Sequence, residues 1–279
     1  MSIAPPAHSS PPPERPELPA GVSPVSRMPI ATWSPLAGWL GGFGIFLLAS
    51  ILGSVPVAFS GDVNNPPPGF TFTGLVLQDV LLVGIVWLVV KSTNPLPSVQ
   101  AVLGMRKTPI GRAIGLMAAI FFGYLVISGI WSQIVSSPDQ DLLEDIGADN
   151  SVLASVAMAF VICVGAPVAE ETLFRGYIFG GLRRWKGFWP AAIISGSMFG
   201  AAHVFGSPVE LVLPLAVFGI GLAMLYELTK SIFPGIYLHC LNNSLAFSVG
   251  LSLGWETALV FVGSLSAVSL ALVALRRVA

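Results

Sequence analysis

The stretch VLASVAMAFVICVGAPVAEETLFRGYI, residues 152–178, contains the pattern on which the fold depends. No charged residue occurs from Val152 to Ala169, and an apolar run of this length is close to what an α-helix needs to cross a hydrocarbon core of roughly 30 Å. Glu170 and Glu171 follow directly, and Arg175 lies one helical turn further on. The stretch therefore predicts a membrane-spanning helix that carries charged side chains near its end.

The composition of the whole chain also indicates a membrane protein. Of its 279 residues, 54% are hydrophobic and only 10% are charged, whereas about 25% of the residues of a typical soluble domain are charged. Thirteen Lys and Arg residues nearly balance fourteen Asp and Glu residues, and the sequence contains no long basic run. An ordinary soluble fold is therefore excluded, and no nucleic-acid-binding surface is expected.

Apolar segments of near-spanning length recur along the rest of the chain, and they predict an all-α, polytopic integral membrane bundle of about eight transmembrane helices. The predicted segments are 36–59, 70–90, 111–135, 151–172, 188–205, 208–228, 232–250 and 255–275. The breaks at Gly206-Ser207-Pro208 and between Lys230 and Pro234 are short, so broken or re-entrant helices remain an alternative there. We expect a transmembrane domain over 36–279, with its motifs at about 150–250.

The first 35 residues have a different composition. They contain ten prolines and almost no apolar periodicity, and such a segment cannot bury enough surface to offset the entropy of ordering it. We therefore predict a disordered, Pro-rich cytoplasmic tail over residues 1–35.

Basic residues predict the orientation of the bundle, because Lys and Arg collect in short cytoplasmic loops. They follow the second, fourth, sixth and eighth predicted helices: Lys91, Arg106, Lys107, Arg112, Arg183, Arg184, Lys186, Lys230, Arg276 and Arg277. The loops after the first, third, fifth and seventh helices contain no Lys or Arg. A multi-pass integral membrane protein with both termini in the cytoplasm is the expected arrangement.

Ionisable residues inside spanning segments are candidates for function, because each costs several kcal/mol unless it is paired or hydrated. The candidates are seven ionisable residues and two asparagines that lie beside the last of them: Asp79, Glu170, Glu171, Arg175, His203, Glu227, His239, Asn242 and Asn243. For Asp79 we favour an interior hydrogen-bonding role, and for Glu227 an interfacial pair with Lys230, three residues further on. A helix end at which the carboxylates reach water remains the simpler interpretation of Glu170 and Glu171 when they are considered alone.

Spacing distinguishes the two adjacent glutamates. Glu171 and Arg175 stand at i and i+4 and therefore share one helix face. Glu170 is rotated from that face by about 100°, so it has no such partner and is free to accept a proton. Pro167 lacks an amide hydrogen, which favours a kink or the entry of water at this point.

The two histidines in the apolar segments show the same spacing. Phe199 precedes His203 by four residues, and His239 precedes Asn243 by four. Each pair taken alone is more typical of a hydrogen bond between helices. A carboxylate, two imidazoles and an amide on three helices can nevertheless meet in one polar cavity, which would contain what water activation at a carbonyl requires.

Three motifs, in this order, resemble those of the CPBP intramembrane proteases, which include the type II CAAX prenyl endopeptidases and bacterial abortive-infection proteins. EETLFR at 170–175 resembles the family's Glu-Glu-x-x-x-Arg element, FGAAH at 199–203 its Phe-x-x-x-His element, and HCLNN at 239–243 its His-x-x-x-Asn element. The resemblance covers about 150–250 and implies proteolysis within the membrane.

The resemblance also implies a role for each motif residue. Glu170 and His203 would activate water, His239 and Asn243 would stabilise the oxyanion, and Glu171 and Arg175 would support the site together with Phe199. Asn242 lies three residues after His239 and is an alternative to Asn243.

The involvement of a metal stays open at this point. Glu170, His203 and His239 could supply three ligands to a zinc ion, but the zincin motif His-Glu-x-x-His is absent. Both a metalloprotease and a metal-free glutamate mechanism have been argued for the family, and we favour the metal-free mechanism.

The expected partners are membrane lipid and a peptide or membrane-anchored protein substrate, with a prenylated substrate as one option. Two other functions remain as alternatives. In a proton-coupled transporter, Asp79, Glu170, His203 and Glu227 would form a relay, although the sequence contains no internal repeat of the kind typical of transporters. A non-catalytic scaffold or immunity protein would have no need of the complete set of motif residues.

Overall fold

The structure is a computed structural model that describes residues 33–34, 36–63, 65–93, 98–136, 143, 147–149, 151–205 and 207–277. All regular elements within these ranges are helices, and they contain no β-strand. The predicted fold class, an all-α membrane bundle, is therefore confirmed. Of the tail predicted over 1–35, only Trp33 and Ser34 are described. Most of residues 135–150, a stretch with five acidic residues and no basic one, also lies outside the described residues.

Nine helices are numbered here in chain order. They are α1 Ala37–Ala58, α2 Pro68–Thr93, α3 Val99–Val102, α4 Ile110–Ile134, α5 Val152–Trp185, α6 Phe188–Ala202, α7 Val212–Thr229, α8 Phe233–Gly250 and α9 Glu256–Arg277. Every one of the eight predicted segments corresponds to a helix, and the short α3 lies in the loop between two of them.

Six of these helices are long and apolar enough to cross a membrane, namely α1, α2, α4, α5, α7 with the turn before it, and α9. The predicted number was about eight. Of the eight predicted segments, the two others differ for separate reasons: α6 has only 15 residues, and α8, with 18 residues, carries a histidine and two asparagines. These two helices contain the second and third sequence motifs.

The breaks proposed around α7 are confirmed, with one correction. Lys230 ends α7 in the left-handed conformation, with φ of 55°, and Pro234 lies in the first turn of α8, where a missing amide hydrogen leaves no hydrogen bond unmade. The helix α6, predicted to reach residue 205, ends at Ala202 and is followed by a 3₁₀ turn, His203–Phe205. His203 therefore lies at the end of a helix rather than within it.

Close packing of α6 against α7 brings the second motif into the bundle. Gly196 and Gly200 on α6 face Ala216 and Gly219 on α7, and a Cβ atom added at either α6 glycine would collide with the α7 backbone. Small residues spaced four apart allow two helices to approach this closely.

The helix α8 lies in the interior of the bundle, where it packs against α4, α5, α7 and α9. Most of its first eight residues are buried, as is His239. A helix surrounded by other helices can carry polar groups that lipid would exclude, because neighbouring protein atoms can satisfy them.

Candidate active site

The segment of α5 that carries the two glutamates is irregular. Ala166–Glu171 is a short α-helical piece between two π-helical segments, Val161–Gly165 and Thr172–Phe179. In the first of these, the amide of Ala166 bonds to the carbonyl of Val161, five residues back. Single π turns of this kind are frequent at functional sites.

Pro167 explains how α5 is tied to α8. In the π register, the carbonyl of Ile162 would accept from the amide of residue 167, but proline has no amide hydrogen. Asn243 of α8 takes that place, and its Nδ2 donates to the Ile162 oxygen at 2.9 Å. The side chain of Asn243 thus supplies a hydrogen bond that the backbone of α5 cannot make.

Glu171 and Arg175 form the ion pair that their spacing predicts. Arg175 Nη1 donates to Glu171 Oε1 at 2.8 Å, and neither side chain has any exposed surface. The second guanidinium nitrogen, Nη2, donates to the carbonyl of Gly219 on α7 at 2.8 Å. The guanidinium therefore connects α5 to α7 as well as neutralising the carboxylate.

The same carboxylate orients His239. His239 Nδ1 lies 3.2 Å from Glu171 Oε1, and a carboxylate paired with a guanidinium can only accept a hydrogen bond. Nδ1 therefore carries the hydrogen, and in the neutral ring Nε2 has the free lone pair. A Cβ atom at Gly235, one turn earlier on α8, would come within 2.9 Å of Glu171 Oε2, so a glycine there allows α8 to approach this carboxylate.

The backbone of α6 orients His203 in a corresponding way. His203 Nδ1 lies 2.8 Å from the carbonyl oxygen of Phe199. Because a carbonyl oxygen only accepts, Nδ1 must be the protonated nitrogen. The lone pair of the neutral His203 ring is therefore also on Nε2.

Both Nε2 atoms face Glu170. Glu170 Oε2 lies 3.9 Å from His203 Nε2 and 4.0 Å from His239 Nε2. These separations are too long for direct hydrogen bonds, and Oε2 is a buried atom without a hydrogen-bond partner among the described residues. Glu170 and His203 retain 19% and 26% side-chain exposure, so the cluster is accessible from the side of these two residues.

Phe199 lies at the centre of this arrangement. Its fully buried ring contacts the rings of His203 and His239, with centroid distances of 4.9 and 5.4 Å. The guanidinium carbon of Arg175 lies 4.7 Å from the same ring centroid. One aromatic side chain thus packs against the cation and both imidazoles, which keeps their separations fixed.

The structure therefore brings Glu170, Glu171, Arg175, His203 and His239 together with Phe199, as the convergence argument predicts. Asn243 is one turn from His239 and directs one amide hydrogen to α5 rather than to the carboxylates. Asn242, the alternative, donates to Asn243 Oδ1 at 3.4 Å.

Some contacts of the cluster were not predicted. Phe218 of α7 packs edge-on against His239, at a centroid distance of 5.7 Å, and the Gly219 carbonyl receives Arg175. Neither residue type signals such a role in a sequence. The Asp79 carboxylate packs against Gly165 of α5 and interacts electrostatically with Glu170, so α2 contributes a further acidic group beside the cluster.

Glu227 is separate from this cluster. Its carboxylate pairs with Lys230 at 2.8 Å, as its position predicts, and also with Arg183 at 2.9 Å. This ion-pair network lies at the end of α7, where the chain turns into α8.

The geometry does not fit a tetrahedral zinc ion. A zinc ion bonded at about 2.0–2.1 Å to Glu170 Oε2 and to an imidazole Nε2 would need an angle of about 135–180° between the two bonds to span 3.9–4.0 Å, rather than about 109°. The described residues also contain no group of three or more His, Cys, Asp or Glu side chains placed to hold a metal ion.

Comparison with known proteins identifies the same region. Residues 152–245 match the model of the family described as "Type II CAAX prenyl endopeptidase Rce1-like". An Escherichia coli protein named "Uncharacterized 24.3 kDa protein" is 29% identical over 185 residues, which is 65% of this chain and 78% of that protein. No solved structure matches the chain significantly.

A second relative carries a functional name. The Bacillus subtilis (strain 168) protein named "Putative membrane peptidase YdiL" is 30% identical over 143 residues, which is 50% of this chain and 57% of that protein. The matched family region begins with α5 and ends in α8, so it contains all three motifs. Residues 152–245 are therefore similar to the Rce1-like family of type II CAAX prenyl endopeptidases over the segment that carries the three motifs.

Proposed function

We propose that this protein is an intramembrane endopeptidase in which Glu170 and His203 activate a water molecule for attack on a peptide bond. The family match supports a CAAX-type membrane protease in general. The observation that carries the specific mechanism is the position of Glu170 Oε2, a buried atom without a direct hydrogen bond, within 4.0 Å of the Nε2 atoms of both histidines.

A bridging water molecule fits these distances. With hydrogen bonds of about 2.8 Å to two acceptors, a water molecule spans 3.9 Å with an angle of about 90° at its oxygen. Glu170 Oε2 and His203 Nε2 both present lone pairs, so the water donates one hydrogen to each. Its own lone pair is then available to attack a carbonyl carbon.

Proton transfer then balances the reaction. Glu170 accepts a proton from the water as the new C–O bond forms, and the carbonyl oxygen becomes an oxyanion. Glu170 returns that proton to the peptide nitrogen as the C–N bond breaks, which leaves a carboxylic acid and an amine. Its side-chain accessibility allows substrate to reach it, whereas fully buried Glu171 serves to hold Arg175 and His239.

We assign oxyanion stabilisation to His239 and Asn243. Because Nδ1–H of His239 points to Glu171, its Nε2 can donate to an oxyanion only when the ring is an imidazolium. Asn243 has two amide hydrogens, of which one bonds to Ile162. The second remains for the substrate.

The proposed substrate is a peptide or a membrane-anchored protein that reaches the cluster from the membrane. Prenylated C-terminal peptides are one substrate class that the family name implies. Matched peptides with and without a prenylated cysteine, presented to the purified protein, separate prenyl-dependent cleavage from general endopeptidase activity.

The central experiment compares membrane peptides that accumulate with the wild type and with the Glu170→Gln variant. Glutamine keeps the size of the side chain but is not a base, so cleavage should fall by at least about 100-fold, within the range attributed to general acid-base catalysis. Glu256→Gln, at the start of α9, is the matched control and should retain activity. Unchanged turnover in Glu170→Gln would mean that another group is the base.

A further inference from the structure

An apolar groove lies on the outside of the site helices. Two helices, α4 and α9, both pack against α8, and the space between them forms a groove of about 680 Å³. On α4 its wall includes Ala113, Ile114 and Met117; on α8 it includes Tyr237 and Leu241. This volume lies within the range of about 300–1,000 Å³ that is typical of small-molecule sites.

The groove runs inward from one end of the bundle. On α8 its lining extends from Phe233, the first residue of the helix, to Leu241, which corresponds to about 12 Å along the helix axis. Among the described residues of its wall, the strongly polar ones are Lys107 and Thr108, which precede α4 at this end. Tyr237 donates to or accepts from Ser269 of α9 at 2.9 Å, so its hydroxyl is satisfied by protein and its ring faces the groove.

A positive charge at the mouth is not neutralised by the described residues. Lys107 is exposed and forms no ion pair among them, and none of the residues that line the groove is acidic. Glu227, the carboxylate near the start of α8, is already paired with Arg183 and Lys230. Within the part of the chain that the structure describes, the groove therefore combines an apolar interior with one cation that has no ion pair, at the end where the basic loops lie.

We propose that this groove binds one acyl chain of an anionic phospholipid and that Lys107 contacts the lipid phosphate. An acyl chain is the apolar ligand that a membrane supplies in excess, and basic pockets between transmembrane helices are suited to anionic lipid headgroups. The α4 wall faces outward, with Ile114 59% exposed, so lipid enters sideways without a change of fold. This site is distinct from the Glu170 cluster, although both use α8.

Lipid titration followed by native mass spectrometry tests the site on the full-length protein in mild detergent. The probes are dioleoylphosphatidylglycerol, which is anionic, and dioleoylphosphatidylcholine, which has the same acyl chains but no net charge. We expect one phosphatidylglycerol molecule per chain, bound more tightly than phosphatidylcholine. Lys107→Gln should weaken phosphatidylglycerol binding about fivefold, equivalent to about 1 kcal/mol per basic residue, and Lys91→Gln should not.

A second pair of variants tests the apolar part of the groove. Met117→Trp adds bulk to the α4 wall and should weaken binding of both lipids, whereas Phe122→Trp, on the exposed face of α4, should not. Equal affinity for the two lipids, or equal effects of Lys107→Gln and Lys91→Gln, would refute the proposal. So would unchanged binding in Met117→Trp, or occupation of the groove by a second copy of the chain.

The Glu170→Gln variant separates this proposal from the proposed function. It should bind phosphatidylglycerol like the wild type, because Glu170 does not line the groove. Loss of cleavage with retained lipid binding supports both proposals, whereas retained cleavage contradicts only the catalytic one.

Discussion

At the scale of single residues, Glu171 is the group on which most of the cluster depends. Its Oε1 atom accepts from both Arg175 and His239, and its side chain has no exposed surface. Removing one member of a buried pair leaves the other charged without compensation, which typically costs 3–5 kcal/mol. The main contribution of Glu171 is therefore to hold Arg175 and His239 in place.

We predict that Glu171→Ala lowers the yield of folded protein more than it lowers the rate per folded molecule. Its free energy of unfolding should fall by about 3–5 kcal/mol, measured by denaturant unfolding in detergent. Glu227→Gln is the control, because its ion pairs are partly exposed, and pairs of that kind contribute about 0–1 kcal/mol. Equal destabilisation by the two substitutions would contradict this assignment, as would a stable Glu171→Ala protein that lacks activity.

At the scale of secondary structure, the irregularity of α5 determines how it meets α8. Pro167 cannot donate to Ile162, and Asn243 fills that position from another helix. The bond connects the π-helical turn before Glu170 to the helix that carries His239. A local defect in one helix thus becomes a specific contact between two helices.

A double-mutant cycle tests this contact. Asn243→Leu removes the Asn243 partner of the partly buried Ile162 carbonyl and should cost about 1–3 kcal/mol of unfolding free energy. In the Pro167→Ala background, residue 167 regains an amide hydrogen, so the same substitution should cost at least about 1 kcal/mol less. If Asn243→Leu and Pro167→Ala change the unfolding free energy additively, Asn243 does not replace the missing amide of residue 167. Continued loss of cleavage in the double variant would support an additional role in the reaction.

At the scale of the whole molecule, the basic loops lie together at one end of the bundle. Ser231 in the α7–α8 turn donates to the carbonyl of Arg106 at 2.6 Å, and Arg183 near the end of α5 pairs with Glu227. These contacts join the basic residues of the α2–α4 and α7–α8 loops to those in the last turn of α5. Such a grouping agrees with the alternation of charge along the sequence, from which cytoplasmic termini are predicted.

Cysteine labelling tests the orientation. Both native cysteines, Cys163 and Cys240, are completely buried, so they should give little background. In intact cells, a membrane-impermeant maleimide should label Ser252→Cys in the α8–α9 turn, at the opposite end of α8 from the basic loops. Lys91→Cys, at the end of α2, should react only after permeabilisation. The reverse pattern would place both termini on the outer side.

Much of the fold followed from the sequence because hydropathy and helix spacing are local properties. Apolar length located the eight helical segments, and the i, i+4 rule paired Glu171 with Arg175 correctly. Length and composition mark six helices as able to span the membrane, rather than about eight. The helix α8 is not among them because it carries polar residues, which a position among other helices allows, and a hydropathy pattern does not contain that information. The helix α6 ends at Ala202, three residues earlier than predicted, because the backbone turns there into the 3₁₀ segment His203–Phe205.

The sequence by itself determined that this chain is a helical membrane protein with three polar motifs on separate helices. Only the tertiary structure decided that Glu170 Oε2 lies between two imidazole Nε2 atoms, that Asn243 bonds to Ile162, and that Arg175 reaches Gly219. The physical reason is that positions within one helix are related by a fixed rise and rotation. Contacts between helices depend instead on how side chains tens of residues apart pack at each crossing.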